Sequence, residues 1–551
     1  MPTGAQALMR TLVDAGVTTC FTNPGTSEMH FVAALDSAPE MRPVLALFEG
    51  VATGAADGYA RMADAPAATL LHLGPGLGNG LANLHNARRA KVPIVNVVGD
   101  HATYHAEYDA QLQSDIETAA HNVSTWVRTS RSTQELARDG VDAIAAAVGP
   151  PGQVATLILP GDVSWGDGAE PAPPPSLPTP PPASAEIVHE TAAALRSGRK
   201  TAILLGGRAL REPSLSAAAR IAAATGTKLF LEAFPARLES GVGLPPLERI
   251  AYLAELASVQ LDGLKHLVLV DAKAPVSFFA YPGKKSYLVP ARCEVHELAA
   301  PDQNALATLE ALVEELGAGD APPALRELSR PERPTGELTA EKVCQAVGGV
   351  LPEGAIVSDE TQTSGVTLAA STVGAPRHDV LTLTGGAIGQ GLPVAVGAAV
   401  ACPDRPVLAL EAEGSAMYTI QSLWTMAREG LDVTVVIFNN RSYAILNIEL
   451  ERVGAENSGP KAKSQLDLAE PNLDFVALGK GMGVPSVRAE TCEELVAQLE
   501  RAIAEPGPHL IEVVIPSAFR GWRLKALPYA LKTLGVLPRP VARAAKRRFY
   551  P

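Results

Sequence analysis

Cysteine is scarce in this chain and never clustered. Its five thiols, Cys20, Cys293, Cys344, Cys402 and Cys492, stand far apart. That excludes a disulfide framework and a Cys-x-x-Cys metal centre, and it points to reduced thiols in the cytoplasm. Aromatic residues make up only 5% of the sequence and charged residues 19%. The charge balance is acidic, −13 overall, which weighs against nucleic acid as a partner. No apolar run is long enough to span a bilayer. The opening residues, MPTGAQALMRTLVDAG, read as an amphipathic helix rather than a signal peptide.

Alanine, glycine and proline are abundant, and apolar residues reach 47%, as tightly packed α/β layers require. At 551 residues the chain is too long for one core. The expectation is an α/β protein of three doubly wound, Rossmann-like domains with parallel sheets. The first spans 1–170. In it, strands at 18–21, 44–48, 68–71 and 92–98 deliver polar groups to one sheet edge, among them Glu49, His72 and Asp100. A proline-rich linker follows at 171–186 (PAPPPSLPTPPP), then a middle domain at 187–325 and a second linker at 326–337. The third domain spans 338–518. A basic tail, 519–551, is either an arm laid across the protein or an amphipathic segment able to touch anionic lipid.

The third domain holds the most informative stretch, residues 406–442. Two buried apolar strands, at 407–410 and 433–438, flank a helix at 417–428 that ends at Gly430. A strand–helix–strand unit makes a parallel pair with a right-handed crossover, so both strand ends reach the same sheet edge. There they place Glu413, Asn440 and free carbonyls. Such hard oxygen ligands suit Mg²⁺, which commonly bridges a protein to phosphate.

This stretch resembles the motif of the thiamine-diphosphate enzymes, a Gly-Asp-Gly turn followed about thirty residues later by Asn-Asn. The resemblance implies that Glu413, Asn440 and the Ser442 carbonyl hold Mg²⁺ on the diphosphate of the cofactor. Here Ala412-Glu413-Gly414 replaces Gly-Asp-Gly, which keeps the charge and adds one methylene. The segment FEGVATGAADGYAR is similar to the one in which a glutamate bonds the cofactor's aminopyrimidine and promotes formation of the C2 ylid. By position alone, Glu49 reads equally as a proton relay with a raised pKa or as a carboxylate favoured at a helix start. The family resemblance selects the relay. It further implies that Glu49 works from one subunit on a diphosphate bound by another, in a homodimer or homotetramer. The Gly/Ala-rich helix after Glu49 would allow close approach at that interface.

By the same resemblance, 1–170 is the pyrimidine-binding domain and 338–518 the diphosphate/Mg²⁺-binding domain. Ile388 would prop the cofactor into a bent shape, and Gly386 would offer it a carbonyl. Gln362, Thr363, Gly414 and Ser415 would face the diphosphate. Tyr443, Ile445 and Leu446 would lie beside the bound cofactor and substrate. His72 is either a satisfied core histidine or, as in benzoylformate decarboxylase-like members, an active-site acid/base. Thr26 matches a substrate-contacting serine of those members. Their second histidine should fall near Phe278 and Phe279, where this chain has none. His101, His105 and Tyr108 either line the pocket or form a surface loop.

The glycine-rich 74–80 segment, read as a loop, lacks GxGxxG spacing, which weighs against a dinucleotide site. FAD in the middle domain has only Gly206-Gly207 in its favour. The implied activity is a 2-oxo acid decarboxylase or carboligase of acetolactate synthase type: ylid attack on the 2-oxo acid, decarboxylation, then protonation or carboligation. The alternatives are a benzoylformate decarboxylase-like lyase and a cofactor-binding homologue with lost or redirected activity.

Overall fold

The computed structural model describes residues 1–281, 284–453, 455, 459–516 and 541. Apart from Val541, the basic tail lies outside the described residues. No described helix is long and apolar enough to cross a membrane.

Three sheets carry the chain. The first runs Arg42–Leu45, Thr19–Asn23, Ala67–Leu71, Ile94–Asp100, Val154–Pro160, Trp126–Thr129, all parallel. The second runs Glu248–Arg249, Lys228–Leu231, Thr201–Leu205, His266–Val270, Glu294–Ala299, again all parallel. The third holds seven strands: Ser486–Ala489, His509–Val514, Val433–Asn439, Val407–Ala412, Ala355–Glu360, His378–Thr382 and Leu238–Ser240. The central strands are short apolar runs because helices cover both their faces. This is the expected α/β architecture with one correction. Leu238–Ser240 comes from the middle segment yet pairs antiparallel with His378–Thr382, so the third sheet is not wholly parallel. Its sheet partner lies far along the sequence, so no local pattern announces it.

Some element boundaries also differ from expectation. The 74–80 segment is helical, part of Leu73–Ala90. Its glycines let that helix lie close to neighbouring chain: a Cβ on Gly80 would come within 2.9 Å of Thr53 Cγ2. The strand before Glu49 ends at Leu45, and Glu49 opens the helix Glu49–Ala63. The helix expected at 417–428 is split into Glu413–Ala416 and Ser422–Glu429.

The first and third domains share one hydrophobic core. Its centre is the contact between Glu49–Ala63 and Gly391–Ala401. Any side chain at Gly58 would strike the Val394 carbonyl, and any at Gly397 would strike the Ala55 carbonyl. The close approach expected at a subunit interface is thus used within the chain. Beside it, the buried Arg61 pairs bidentately with Asp57, at 2.7 Å for each bond. Arg61 also donates to Ala236 O, Thr382 O and Thr384 Oγ1, and so ties all three segments together. A guanidinium buried this deeply is tolerated because its donors are matched.

Candidate active site

The strand Val407–Ala412 delivers Glu413 and the strand Val433–Asn439 delivers Asn440 to one edge. Both side chains are buried, 1% and 5% exposed. Glu413 Oε1 accepts the Ser442 N–H at 2.9 Å. Asn440 Nδ2 donates to Ser364 Oγ at 3.3 Å. The remaining oxygens, Glu413 Oε2 and Asn440 Oδ1, are buried with no hydrogen-bond partner. Orphaned buried oxygens are costly unless a ligand completes them. Burial pushes the Glu413 carboxyl up, against the pull of backbone N–H groups on the 440–442 turn. Nearby cationic charge would restore the anion. These residues therefore fit a hard divalent cation, and the longer glutamate reaches the Ser442 amide while keeping one oxygen without a partner. Arg441, between Asn440 and Ser442, holds φ +59°, and Gln362 on the adjoining turn holds φ +53°. Left-handed backbone at non-glycine residues stores strain that surrounding contacts must impose.

Gln362 and Thr363 lie on the turn after Ala355–Glu360, the first exposed and the second half-buried. Gly414 and Ser415 are buried in the turn that begins at Glu413. Tyr443 and Ile445 are half-buried and Leu446 is exposed, all at the start of Ala444–Arg452.

The Gly385–Gly391 turn is clamped from two sides. Asn83 Nδ2 donates to Gly389 O, and Asn86 holds both polar groups of the Ala387 backbone. From below, the Glu360 carboxylate accepts Gly389 N–H at 2.8 Å and Gly391 N–H at 2.5 Å. Burial pushes Glu360 up to about 7, while the N–H groups of Gly391, Gly389 and Gln390 and the Ser415 hydroxyl pull it down. Glu411 is fully buried, and neither of its oxygens has a partner. Burial, then the charges of Glu360 and Asp359, raise it well above the ordinary carboxylate value. Gly386 holds φ +79°, and a Cβ there would lie 2.6 Å from Phe278 Cζ. Ile388 is half-buried on this turn.

In the first domain, Glu49 is 8% exposed, and its Oε2 accepts Asn79 Nδ2 at 3.0 Å. Gly76 separates it from His72: a Cβ on that glycine would sit 3.0 Å from Glu49 Oε1 and 3.4 Å from His72 Cβ. His72 is not a core histidine. Its Nδ1 meets Glu28 Oε2 at 2.8 Å, and its side chain is 24% exposed. The Glu28 carboxylate also accepts Gly25 N–H at 2.7 Å and the Ser27 hydroxyl at 2.5 Å. A carboxylate surrounded by donors makes His72 Nδ1 the proton-bearing nitrogen and frees Nε2 for proton exchange. Ser27 Oγ, at 3.4 Å from His72 Nδ1, is the hydroxyl beside the ring. Thr26, expected there, is exposed on the same turn. His101 follows the strand Ile94–Asp100; its ring meets that of His105 at a tilt, and His105 meets Tyr108 in the same way. Its Nε2 is buried without a partner.

Sequence alone does not single out Glu28, Asn79, Asn83 and Glu360, whose partners lie far along the chain, nor Glu411, whose burial only the fold reveals. The fold also assembles a wall of aromatic rings. Phe278 contacts Phe234 at 5.7 Å, Tyr252 at 5.3 Å and Phe279 at 5.0 Å between centroids.

The chain is similar to known proteins over nearly its whole length. The family model described as "Thiamine pyrophosphate enzyme, N-terminal TPP binding domain" matches residues 2–122, and its C-terminal counterpart matches 361–513. Over 515 residues the chain is 60% identical to "Putative acetolactate synthase large subunit IlvX" of Mycobacterium tuberculosis, covering 93% of this chain and 99% of that protein. It is 31% identical over 539 residues to benzoylformate decarboxylase of Pseudomonas aeruginosa, covering 90% and 96%. Among solved structures, a thiamine diphosphate-dependent 4-hydroxybenzoylformate decarboxylase of Rhodococcus jostii shares the fold. Its TM-score is 0.82 at 24% identity, over 94% of this chain and 99% of that one.

Proposed function

The chain belongs to the thiamine pyrophosphate enzyme family, and from that premise we propose a thiamine-diphosphate- and Mg²⁺-dependent 2-oxo acid decarboxylase or carboligase of acetolactate synthase type. The observation that carries the reading is the pair of partnerless oxygens, Glu413 Oε2 and Asn440 Oδ1, at the edge where the family binds diphosphate. Glu413, Asn440 and the Ser442 carbonyl would hold the cation. Gln362, Thr363, Gly414 and Ser415 would face the diphosphate, and Gly386, Ile388 and Tyr443 the rings. When bound, the cofactor supplies an electron sink for the carbon that loses CO₂.

The protein's own residues handle position and protons. Glu360 fixes the Gly385–Gly391 turn through two backbone amides. Glu49, steadied by Asn79, would exchange a proton with the aminopyrimidine. His72, aligned by Glu28, would give or take a proton at Nε2 on the substrate side. Phe278 and its neighbours present an apolar wall to the substrate side chain. In this reading the enzyme works in the cytoplasm as a homodimer or homotetramer, and Glu49 acts on a neighbouring subunit. The charge-aligned His72 favours a second reading, a benzoylformate decarboxylase-like lyase that ends in protonation.

The test is incubation with thiamine diphosphate, Mg²⁺ and a panel of 2-oxo acids including pyruvate and benzoylformate. CO₂ with an acyloin product supports the carboligase, and CO₂ with an aldehyde supports the lyase. Tight calorimetric binding of the cofactor without CO₂ from any acid would leave a binding protein with lost chemistry. Mixing Glu49→Gln with Asn440→Ala protein tests subunit sharing: recovered turnover supports it, and none refutes it.

A further inference from the structure

The middle domain carries a group of side chains that the catalytic reading does not use. His266 opens the strand His266–Val270, and Glu294 opens its parallel neighbour Glu294–Ala299. The register pairs His266 with Glu294 and Val268 with His296. His266, Glu294 and His296 therefore share one face of the sheet. His266 Nδ1 lies 3.1 Å from His296 Nε2 and 3.3 Å from Glu294 Oε2. One ligand atom from each of the three falls within 4.8 Å of the others.

We propose that His266, Glu294 and His296 form a binding site for a borderline divalent transition cation, Zn²⁺ being the natural candidate. Four ligands placed tetrahedrally at about 2.0–2.1 Å from Zn²⁺ stand about 3.3–3.4 Å from one another, close to the two separations found here. Two imidazoles and a carboxylate suit Zn²⁺, Co²⁺, Ni²⁺ or Cu²⁺ and disfavour Mg²⁺, so the site is chemically distinct from the oxygen-lined turn at Glu413.

Both histidines stand on strands, so backbone pairing fixes their spacing before any cation arrives. Glu294–Ala299 is the edge strand of its sheet. A cation would fasten that edge to its inner neighbour. One feature limits the affinity. A cation on His266 Nδ1 moves the ring proton to Nε2, which is buried without a partner. The site should therefore bind reversibly, more weakly than a closed four-ligand zinc centre.

The test uses full-length protein stripped with chelator and then supplied with thiamine diphosphate and Mg²⁺ to fill the catalytic site. Zn²⁺ is titrated by calorimetry, and Co²⁺ by visible absorption. The expected result is one equivalent of Zn²⁺, a tetrahedral Co²⁺ spectrum without a thiolate charge-transfer band, and a raised thermal midpoint. His296→Ala should weaken binding at least tenfold and abolish the thermal shift. Glu294→Gln, at an exposed position, should weaken it less and guards against misfolding of the first variant. Equal binding by the parent and both variants would mean an adventitious ion only, and would overturn the proposal. So would no binding at all, or a Co²⁺ spectrum dominated by thiolate.

Discussion

Two sheet edges in this protein began with the same equipment and ended differently. In the third domain, the edge at Glu413 and Asn440 keeps two buried oxygens without partners. In the middle domain, the corresponding edge carries its own glycine turn, Gly206-Gly207, beside the ends of three strands. There the exposed amides are already taken. Glu232 Oε1 accepts the Gly207 N–H at 2.8 Å, and Asp271 Oδ2 accepts the Arg208 N–H at 2.8 Å. Lys91, reaching from the first domain, pairs with Asp271 Oδ1 at 2.8 Å. A Cβ on Gly207 would meet the Asp271 carboxylate, which occupies the space beside that turn. Position at the carboxyl edge of a parallel sheet is thus not enough to make a binding site. The polar groups must also be left free, and of these two edges the third-domain one leaves them so. The filled turn weighs against a nucleotide such as FAD in the middle domain.

The largest expected effect lies at the free edge and its proton relay. Glu49→Gln should lower the rate of CO₂ release by about 10²–10⁴-fold while calorimetric affinity for Mg²⁺ and thiamine diphosphate stays near the parent's. Asn440→Ala removes one of the two free oxygens. It should weaken Mg²⁺-dependent cofactor binding by about 10–100-fold. Unchanged affinity would erase the contrast between the edges.

The filled edge should respond in stability rather than binding. Burial pushes Glu232 up to about 7 from an ordinary 4.5, with the Gly207 amide and Lys91 pulling the other way. The folded state then keeps a proton that the unfolded chain has released. Stability falls as pH rises from the unfolded value through about 7 and is level above it. Glu232→Gln, which still accepts the Gly207 N–H, should reduce the stability lost between about pH 5 and about pH 8 by roughly 1–3 kcal/mol, read by denaturant unfolding. An unaltered pH profile would mean that Glu232 is not buried as a neutral acid.

Glu413→Asp is a finer probe of the free edge. The glutamate reaches the Ser442 amide and still leaves one oxygen free. The shorter side chain should lose that amide contact, worth about 1 kcal/mol, and bind cofactor about fivefold more weakly. Equal or tighter binding would show that the turn is not fitted to the longer side chain. The smallest effect is expected at Lys91→Met. It should lower stability by about 0.5–1 kcal/mol in thermal unfolding, with cofactor affinity unchanged.

Much of this could be read from residues alone. Strands such as Val433–Asn439 and His266–Val270 are compact apolar runs with abrupt polar ends, so their type and the edge they serve were plain. The same holds for Glu413, Asn440 and Glu49, each set where a strand stops or a helix starts. Other features depend on partners distant in sequence. Glu28 matters because His72 folds onto it, and Glu360 because it holds the amides of Gly389 and Gly391. The glycines at 74–80 looked like a loop because their cause, crowding against Thr53 and Glu49, lies on another helix. Leu238–Ser240 is too short and too polar to declare a strand by itself. Its place comes from His378–Thr382.

The core shared by the first and third domains also sets a timetable for the newborn chain. Ala55 and Gly397, which touch at its centre, are about 340 residues apart. At a ribosomal rate of about 5–20 residues per second, the earlier surface waits roughly 20–70 s for its counterpart to be made. During that interval a smooth alanine- and glycine-lined helix stands uncovered. Within the chain, that face gains its partner only when the Gly391–Ala401 helix has been made.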